Sequence, residues 1–245
     1  MQSIKKKIIK RITGLCLTVS VAVAAVYFGG TKVIENALFT SVVKQQYEPP
    51  VIVLDAGHGG MDGGCSSVNG TPEKGINLNI MLHLRRMLQI CGYTVEVTRE
   101  TDCSIHDEGI EGIANQKSSD MDNRLELFNK YDNAVCLSIH QNQFTDSSYS
   151  GAQMFYSNQV KGSAAMAQNI QDSFVEFLQP ENKREIKLCG KELFLCYFCK
   201  NPTVMVECGF LSNSEEASLL ETEEYQQKVA FTVFSGLEKY FSSVV

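Results

Sequence analysis

The chain has no internal repeat and no low-complexity tract, which excludes a solenoid and argues against a disordered binding segment. Basic residues are scarce beyond the N-terminus. Against 28 Asp and Glu stand 22 Lys and Arg, and five of those cations fall in the first 30 residues, which hold no acid. The remainder is markedly acidic, which argues against a nucleic-acid partner, since that would need a basic surface. Phosphate-cradling patterns are missing too, because Gly57 to Gly64 fits neither G-x-G-x-x-G nor G-x-x-x-x-G-K-[ST]. No His-Glu-x-x-His helix occurs. The nine cysteines lack the paired spacing of a small stapled domain. The only close pair, Cys196 and Cys199, falls in an apolar run read as a strand, where residues three apart face opposite sides and cannot chelate one ion. They read as core cysteines.

What is present fits one globular domain with an N-terminal appendage: 245 residues, 44% hydrophobic and 20% charged. Lys5, Lys6, Lys7, Lys10 and Arg11 precede an uncharged apolar run from Ile12 to Gly30. Residues 1–30 therefore read as a signal peptide, with Ala22-Val23-Ala24 as a cleavage pattern, or as a retained membrane anchor. Either way the protein is exported. Val33, Ile34, Leu38, Phe39, Val42 and Val43 suggest a short stalk helix within a 31–50 linker that ends at Pro49-Pro50. The catalytic domain spans 51–245.

From residue 51 onward strands and helices alternate. Val51 to Leu54 reads as a strand, and the glycines after it permit a sharp turn at His58. Ile76, Ile80, Leu84, Met87, Leu88 and Cys91 recur at helical spacing, and Tyr93 to Thr98 is the next strand. A helix carrying Leu125 and Phe128, with Ser119 or Asp120 as candidate N-cap, leads to the strand Ala134 to Ile139 and thence His140. Further strands are read at Ala152 to Tyr156, Leu193 to Phe198 and Val204 to Val206. Helices run through Ala164 to Leu178 and Tyr225 to Phe241. Such alternation specifies an α/β domain with a largely parallel sheet and helices on both faces. Sites in such sheets form beyond the strands' carboxyl ends.

His58, His140 and Glu207 each end an apolar run, and Glu73 opens a helix. Two histidines and one glutamate are an established three-ligand set for catalytic zinc, so His58, Glu73 and His140 are the expected ligands of one ion. Glu207 is the expected general base, taking a proton from water and passing it to a departing nitrogen. An amide is the natural substrate. Glu73 could instead serve the helix N-terminus by charge. His83 reads as a histidine at the core boundary and His106 as part of a solvated loop.

The stretches Val53 to Asp62, Glu73 to Leu78, Thr98 to Asp102, Ser138 to Asn142 and Val206 to Asn213 together resemble the zinc-dependent N-acetylmuramoyl-L-alanine amidases, in that family's order, over residues 51 to 241. The resemblance implies a roughly six-stranded mixed sheet and cleavage between muramic acid's lactyl group and the stem peptide's L-alanine in peptidoglycan. It implies zinc at His58, Glu73 and His140 and catalysis by Glu207. Arg99, Asp102, Arg124 and Asn129 match further family positions and read as fold support, while Asn142 would orient the His140 loop or touch substrate. Single-domain architecture looks most like the spore-cortex, germination-specific branch, which acts with a deacetylase to make muramic-δ-lactam and in some members needs a partner lipoprotein. Two departures stand out: a long stretch from Cys103 to Asp120, and Arg184-Glu185-Ile186-Lys187 in place of Arg-Gly-Val-Lys. The alternatives are a non-catalytic zinc and peptidoglycan binder of the same fold, or a zinc carboxypeptidase.

Overall fold

A computed structural model describes residues 48–244, so the signal-or-anchor segment and most of the expected stalk lie outside the described residues. Six strands form one sheet: β1 Val51–Ala56, β2 Val95–Val97, β3 Ala134–Asn142, β4 Gln153–Tyr156, β5 Lys187–Leu188 and β6 Thr203–Phe210, in the order β2-β1-β3-β6-β4-β5. All pairings are parallel except β4 with β6. The single antiparallel pair makes the sheet mixed.

Among the described residues six helices cover the sheet: α1 Glu73–Ile90, α2 Ile113–Phe128, α3 Ser163–Phe177, α4 Phe194–Phe198, α5 Ser214–Leu220 and α6 Glu223–Val244. Alternation along the central strands divides the interior in two. Ile52 and Leu54 of β1 face α1, α3 and α6 and pack with Ile80, Leu84, Ile170, Phe174, Val233 and Leu237. Val53 and Cys136 face the other way, onto Phe128, Leu195 and Cys199. Burial on both faces is why β1, β3 and β6 read as continuous apolar runs rather than alternating ones. Ile76, Ile80, Leu84 and Leu88 are all buried along one stripe of α1. Truncating Leu84 to Ala would cost about 2–5 kcal/mol. No helix among the described residues is long and apolar enough to cross a membrane.

Two local expectations need correction. Leu193 to Phe198 is not a strand: Phe194–Phe198 forms the short helix α4, and the sixth strand is the two-residue β5 at the sheet edge. An apolar run this short has no periodicity that separates strand from buried helix. In a helix Cys196 and Cys199 do not face opposite sides as they would in a strand, although both are buried free thiols, with Cys199 Sγ at 3.9 Å from Cys136 Sγ. Ser119 and Asp120 do not cap α2, which begins six residues earlier at Ile113. They lie inside it and tie down the long loop. Asp120 accepts from Ser104 Oγ and the Ile105 amide, each at 2.7 Å, and Ser119 Oγ accepts from the Asp107 amide at 3.0 Å.

Candidate metal centre

The site is assembled from the turn after β1, the carboxyl-terminal part of β3, the middle of β6 and the start of α1. In the β1–β3–β6 ladder, Ala56 is level with Ile139 and His140 is level with Glu207, so the chain just past β1 meets both. Gly57 continues the ladder by donating its amide to the Ile139 carbonyl at 3.0 Å. The imidazole of His140 lies directly over Gly57: a Cβ there would be 2.2 Å from Cε1 and 2.3 Å from Nε2. Gly64 is bare for the same reason, since a Cβ would lie 2.5 Å from Glu73 Oε2 and 2.7 Å from His58 Cδ2. Two absent side chains thus make room for the donors.

Glu73 stands between the two histidines. Its Oε1 is 3.0 Å from His140 Nδ1 and its Oε2 is 3.3 Å from His58 Nε2. The imidazole planes are nearly perpendicular, at 79°, with centroids 5.0 Å apart. The carboxylate is buried and also accepts from the amides of Cys65 and Gln141 and from Asn77 Nδ2, each at 3.0 Å. Although burial opposes its charge, the two histidines hold its pKa far below the carboxylate range. Burial likewise works against a charged His58, but Glu73 and Asp62 outweigh it and raise the imidazole to about 9.

Further side chains fix these donors. His58 has the positive φ of 63° that non-glycine residues rarely adopt. Its Nδ1 is held by Asp62 Oδ2 at 2.8 Å, which leaves Nε2 toward Glu73. A carboxylate on the far nitrogen is the usual way to orient a metal-binding histidine. Beneath the turn, Arg124 is paired with Asp55 and Asp120 and donates to the carbonyls of Ala56 and His58 at 2.9 and 2.8 Å. Arg99 donates to the carbonyls of Ala56, Gly57 and Lys74 at 2.8–3.1 Å. Asp102 accepts from the Gly60 amide at 2.9 Å and pairs with Lys74 at 2.7 Å. These residues hold the β1 exit, as their reading as fold support requires, and Asn129 does similar work by accepting from the Lys200 amide at 2.8 Å.

Glu207 projects beside this group, level with His140 across the β3–β6 pairing. Its Oε2 is buried without a hydrogen-bond partner among the described residues. Burial pushes its pKa up to about 7. An acid with an unsatisfied buried oxygen and a pKa near neutrality is suited to exchanging protons.

His58, Glu73 and His140 form a group that could hold a metal ion, with one donor atom from each lying within 4.8 Å of the others. The donor chemistry fits: two imidazoles and a carboxylate, with a supporting carboxylate behind His58 and a fully bonded pocket behind Glu73. His106 is elsewhere, with Nδ1 at 2.9 Å from Ser104 Oγ in the long loop, and His83 is half-buried on α1. Asn142 ends β3, and its carbonyl accepts from the Leu211 amide at 2.8 Å. Glu185, where a glycine was expected, is exposed and contributes its carbonyl to Gln153 Nε2 at 2.9 Å, so its side chain is accommodated. The roles of Asp62, Gly64 and Asn77 were not anticipated. The first had a signal, an acid four residues from a histidine in a glycine-rich turn; the others are visible only once the chain is folded.

Fold and site define a class: an α/β protein with a histidine–glutamate–histidine group, able to hold a metal ion, past the carboxyl ends of its parallel strands. The sequence pattern of the N-acetylmuramoyl-L-alanine amidases matches residues 52–239. The chain belongs to that family. It is 35% identical over 193 residues to the germination-specific N-acetylmuramoyl-L-alanine amidase of Bacillus subtilis, covering 78% of this chain and 80% of the relative. With the N-acetylmuramoyl-L-alanine amidase AmiA of Escherichia coli it shares 25% identity, covering 78% of this chain and 76% of the relative. Its fold is similar to the CwlD amidase of Clostridioides difficile, solved in complex with the GerS lipoprotein, at a TM-score of 0.76 and 36% identity over 80% of this chain and 100% of that one.

Proposed function

We propose that this protein hydrolyses the amide between N-acetylmuramic acid and L-alanine in peptidoglycan, with one zinc ion held by His58, Glu73 and His140 and with Glu207 as general base. The observation that supports this reading most is the meeting of those three donors beside a buried, unpartnered Glu207 oxygen. When bound, zinc supplies electrophilic activation of a carbonyl and acidification of water. The chain's own residues do the rest. Asp62 keeps the His58 Nδ1 edge occupied and Glu73 is held by three further donors, so the ligand edges are fixed before any ion arrives. Glu207 takes a proton from the attacking water on its carboxylate and returns it to the departing nitrogen of alanine. Burial favours the protonated form of Glu207, the form that hands the proton back.

The biological setting we infer is the spore cortex, with the freed muramic acid as the precursor of muramic-δ-lactam. The 35% identity to an amidase named for germination supports it. Export would follow from residues 1–30 acting as signal or anchor, and an activating lipoprotein is a fitting partner because the similar CwlD amidase was solved with one. Digestion of purified peptidoglycan tests the chemistry: free L-alanine amino groups and peptide-free muramic acid should appear by mass spectrometry with zinc, and not in a chelated control. Release of a C-terminal amino acid instead would replace the amidase reading with a carboxypeptidase.

A further inference from the structure

Beside β6, which carries Glu207, lies the antiparallel strand β4. Gln153 is the direct antiparallel partner of Glu207, so both side chains leave the same face of the sheet, with Cβ atoms about 5 Å apart. Gln153 Oε1 in turn accepts from Arg184 Nη1 at 3.3 Å. Arg184 is thus one side chain removed from Glu207.

The guanidinium is fixed on three sides. Nε donates to the Ser150 carbonyl at 2.7 Å, Nη1 is engaged by Gln153, and the plane lies over Phe210 and Tyr149 at 4.5 and 5.4 Å from their ring centroids. Tyr149 is itself steadied by Phe144, with centroids 4.7 Å apart. Nη2 has no acceptor, and no carboxylate comes within 4.0 Å of the group, among the described residues. The cations around the metal-ligand group are, by contrast, already engaged. Lys74 pairs with Asp102, Lys117 with Asp62, and Arg124 with Asp55 and Asp120, while Arg99 donates only to carbonyls.

A groove of about 710 Å³ runs from this arginine, walled by Tyr149, Gly151 and Asn213. Glu216 borders it too, but its oxygens are occupied by the amides of Phe210 at 2.7 Å and Gly151 at 3.0 Å. What the groove offers a ligand is therefore a stacked, pre-oriented guanidinium edge, one side chain removed from Glu207. That is a carboxylate-reading device.

We propose that Arg184 reads the free carboxylate on the second residue of the stem peptide and so lays the peptide along β4; this rests on the amidase reading above. The peptide leaves from the scissile nitrogen at about 3.5 Å per residue, which puts its second residue roughly 7 Å out. That is the reach from Glu207 past Gln153. The second residue of a stem peptide is a γ-linked glutamate, whose α-carboxylate stays free or is amidated. The site therefore discriminates between the two forms.

The test uses the full-length, zinc-loaded protein and two muramoyl peptides that differ only in carrying a carboxylate or a carboxamide at that position. The wild type should favour the carboxylate by about 10-fold to 100-fold in kcat/KM, chiefly through KM, as expected for a hydrogen bond between charged groups. Arg184→Gln should bring that ratio to within about threefold of unity, and Arg184→Lys, which keeps the charge without the fork, should fall between. Equal wild-type rates on both substrates would overturn the proposal without any variant. So would a uniform loss on both in Arg184→Gln, which would mark the residue as a support for the Ser150–Gly151 loop. Calorimetric binding of the same pair to zinc-loaded Glu207→Gln protein reads the preference without turnover. If neither peptide is cleaved by the wild type, the amidase reading fails while the binding ratio still decides Arg184.

Discussion

Gly57→Ala is the sharpest probe of the site, because it adds one methyl group at a place where the three nearest atoms all belong to the His140 ring. The new Cβ would lie 2.2–2.3 Å from two ring atoms and 2.6 Å from Nδ1, whereas ordinary contact begins at 3.4 Å. The imidazole must therefore retreat by about 1 Å. Metal–ligand distances tolerate about 0.2 Å, so a displacement of that size takes His140 out of any coordination sphere. Gly57 is not among the positive-φ residues, so alanine brings no backbone strain, and the bonds of its amide to Ile139 and of its carbonyl to Arg99 and Asn77 persist. The fold should survive while zinc affinity falls at least about 100-fold, beyond the 10-fold to 100-fold typical of losing a supporting residue. Competition with a chromophoric chelator measures the affinity, and circular dichroism checks the fold. Gly75→Ala is the matched control: nothing lies within 4 Å of its Cβ, it sits in α1, and it should leave zinc binding alone while stabilising the helix by up to about 1 kcal/mol. A Gly57→Ala protein that binds zinc like the wild type would show that the ring over Gly57 is not a ligand.

Glu207→Gln should keep its zinc and lose at least about 100-fold in rate, as for removal of a general base; full activity by muropeptide release would dismiss that role. His140→Ala should lose metal and activity together, and an unchanged zinc content by plasma emission spectroscopy would strike it from the ligand set. Arg124→Met leaves the buried Asp55 charge without its partner and should cost about 3–5 kcal/mol in urea unfolding, of which adding Asp55→Asn should recover only a part, since Asp120 and the Ala56 and His58 carbonyls still lose their donor. Burial opposes the Asp55 charge, but Arg124, then His140, Ser138 and Thr98, hold its pKa below the ordinary value. Its contribution is therefore full above about pH 4 and is lost as pH falls through the depressed folded value. The stability gap between wild type and Arg124→Met should accordingly narrow in acid; a gap constant down to pH 2 would contradict the pairing.

Much of this was legible before folding because the central strands are buried on both faces. Val51 to Leu54, Ala134 to Leu137 and Val204 to Val206 are apolar runs, and His58, His140 and Glu207 follow them toward the carboxyl side of the sheet. Glu73 was legible as a residue at the start of a helix, and the helix start is where it is. Leu193 to Phe198 was misread because so short an apolar run has no periodicity that separates a helix from a strand. The start of α2 was misread because its first turn, Ile113 to Gln116, is mostly exposed and so carries no buried stripe, with Ile113 itself 64% exposed. Long-range contacts such as Arg124 with His58, 66 residues apart, leave no local trace at all.

The Asp55–Arg124 pair explains why so much charge is buried under one turn. A buried ion pair is seldom more stabilising than well-packed apolar residues of the same volume, so stability alone does not account for it. Arg124 does what a hydrocarbon could not: it donates to the carbonyls of Ala56 and His58 while Arg99 donates to those of Ala56 and Gly57. Three successive carbonyls at the end of β1 are thereby held by two guanidinium groups. His58 pays about 1–3 kcal/mol for its left-handed backbone, a conformation that persists only where the surroundings over-determine it. The arginines supply that over-determination from below, and Asp62 supplies it from the side. The cluster is best understood as the device that keeps one imidazole in a conformation the chain would otherwise abandon, at the spot where Glu73 and His140 converge.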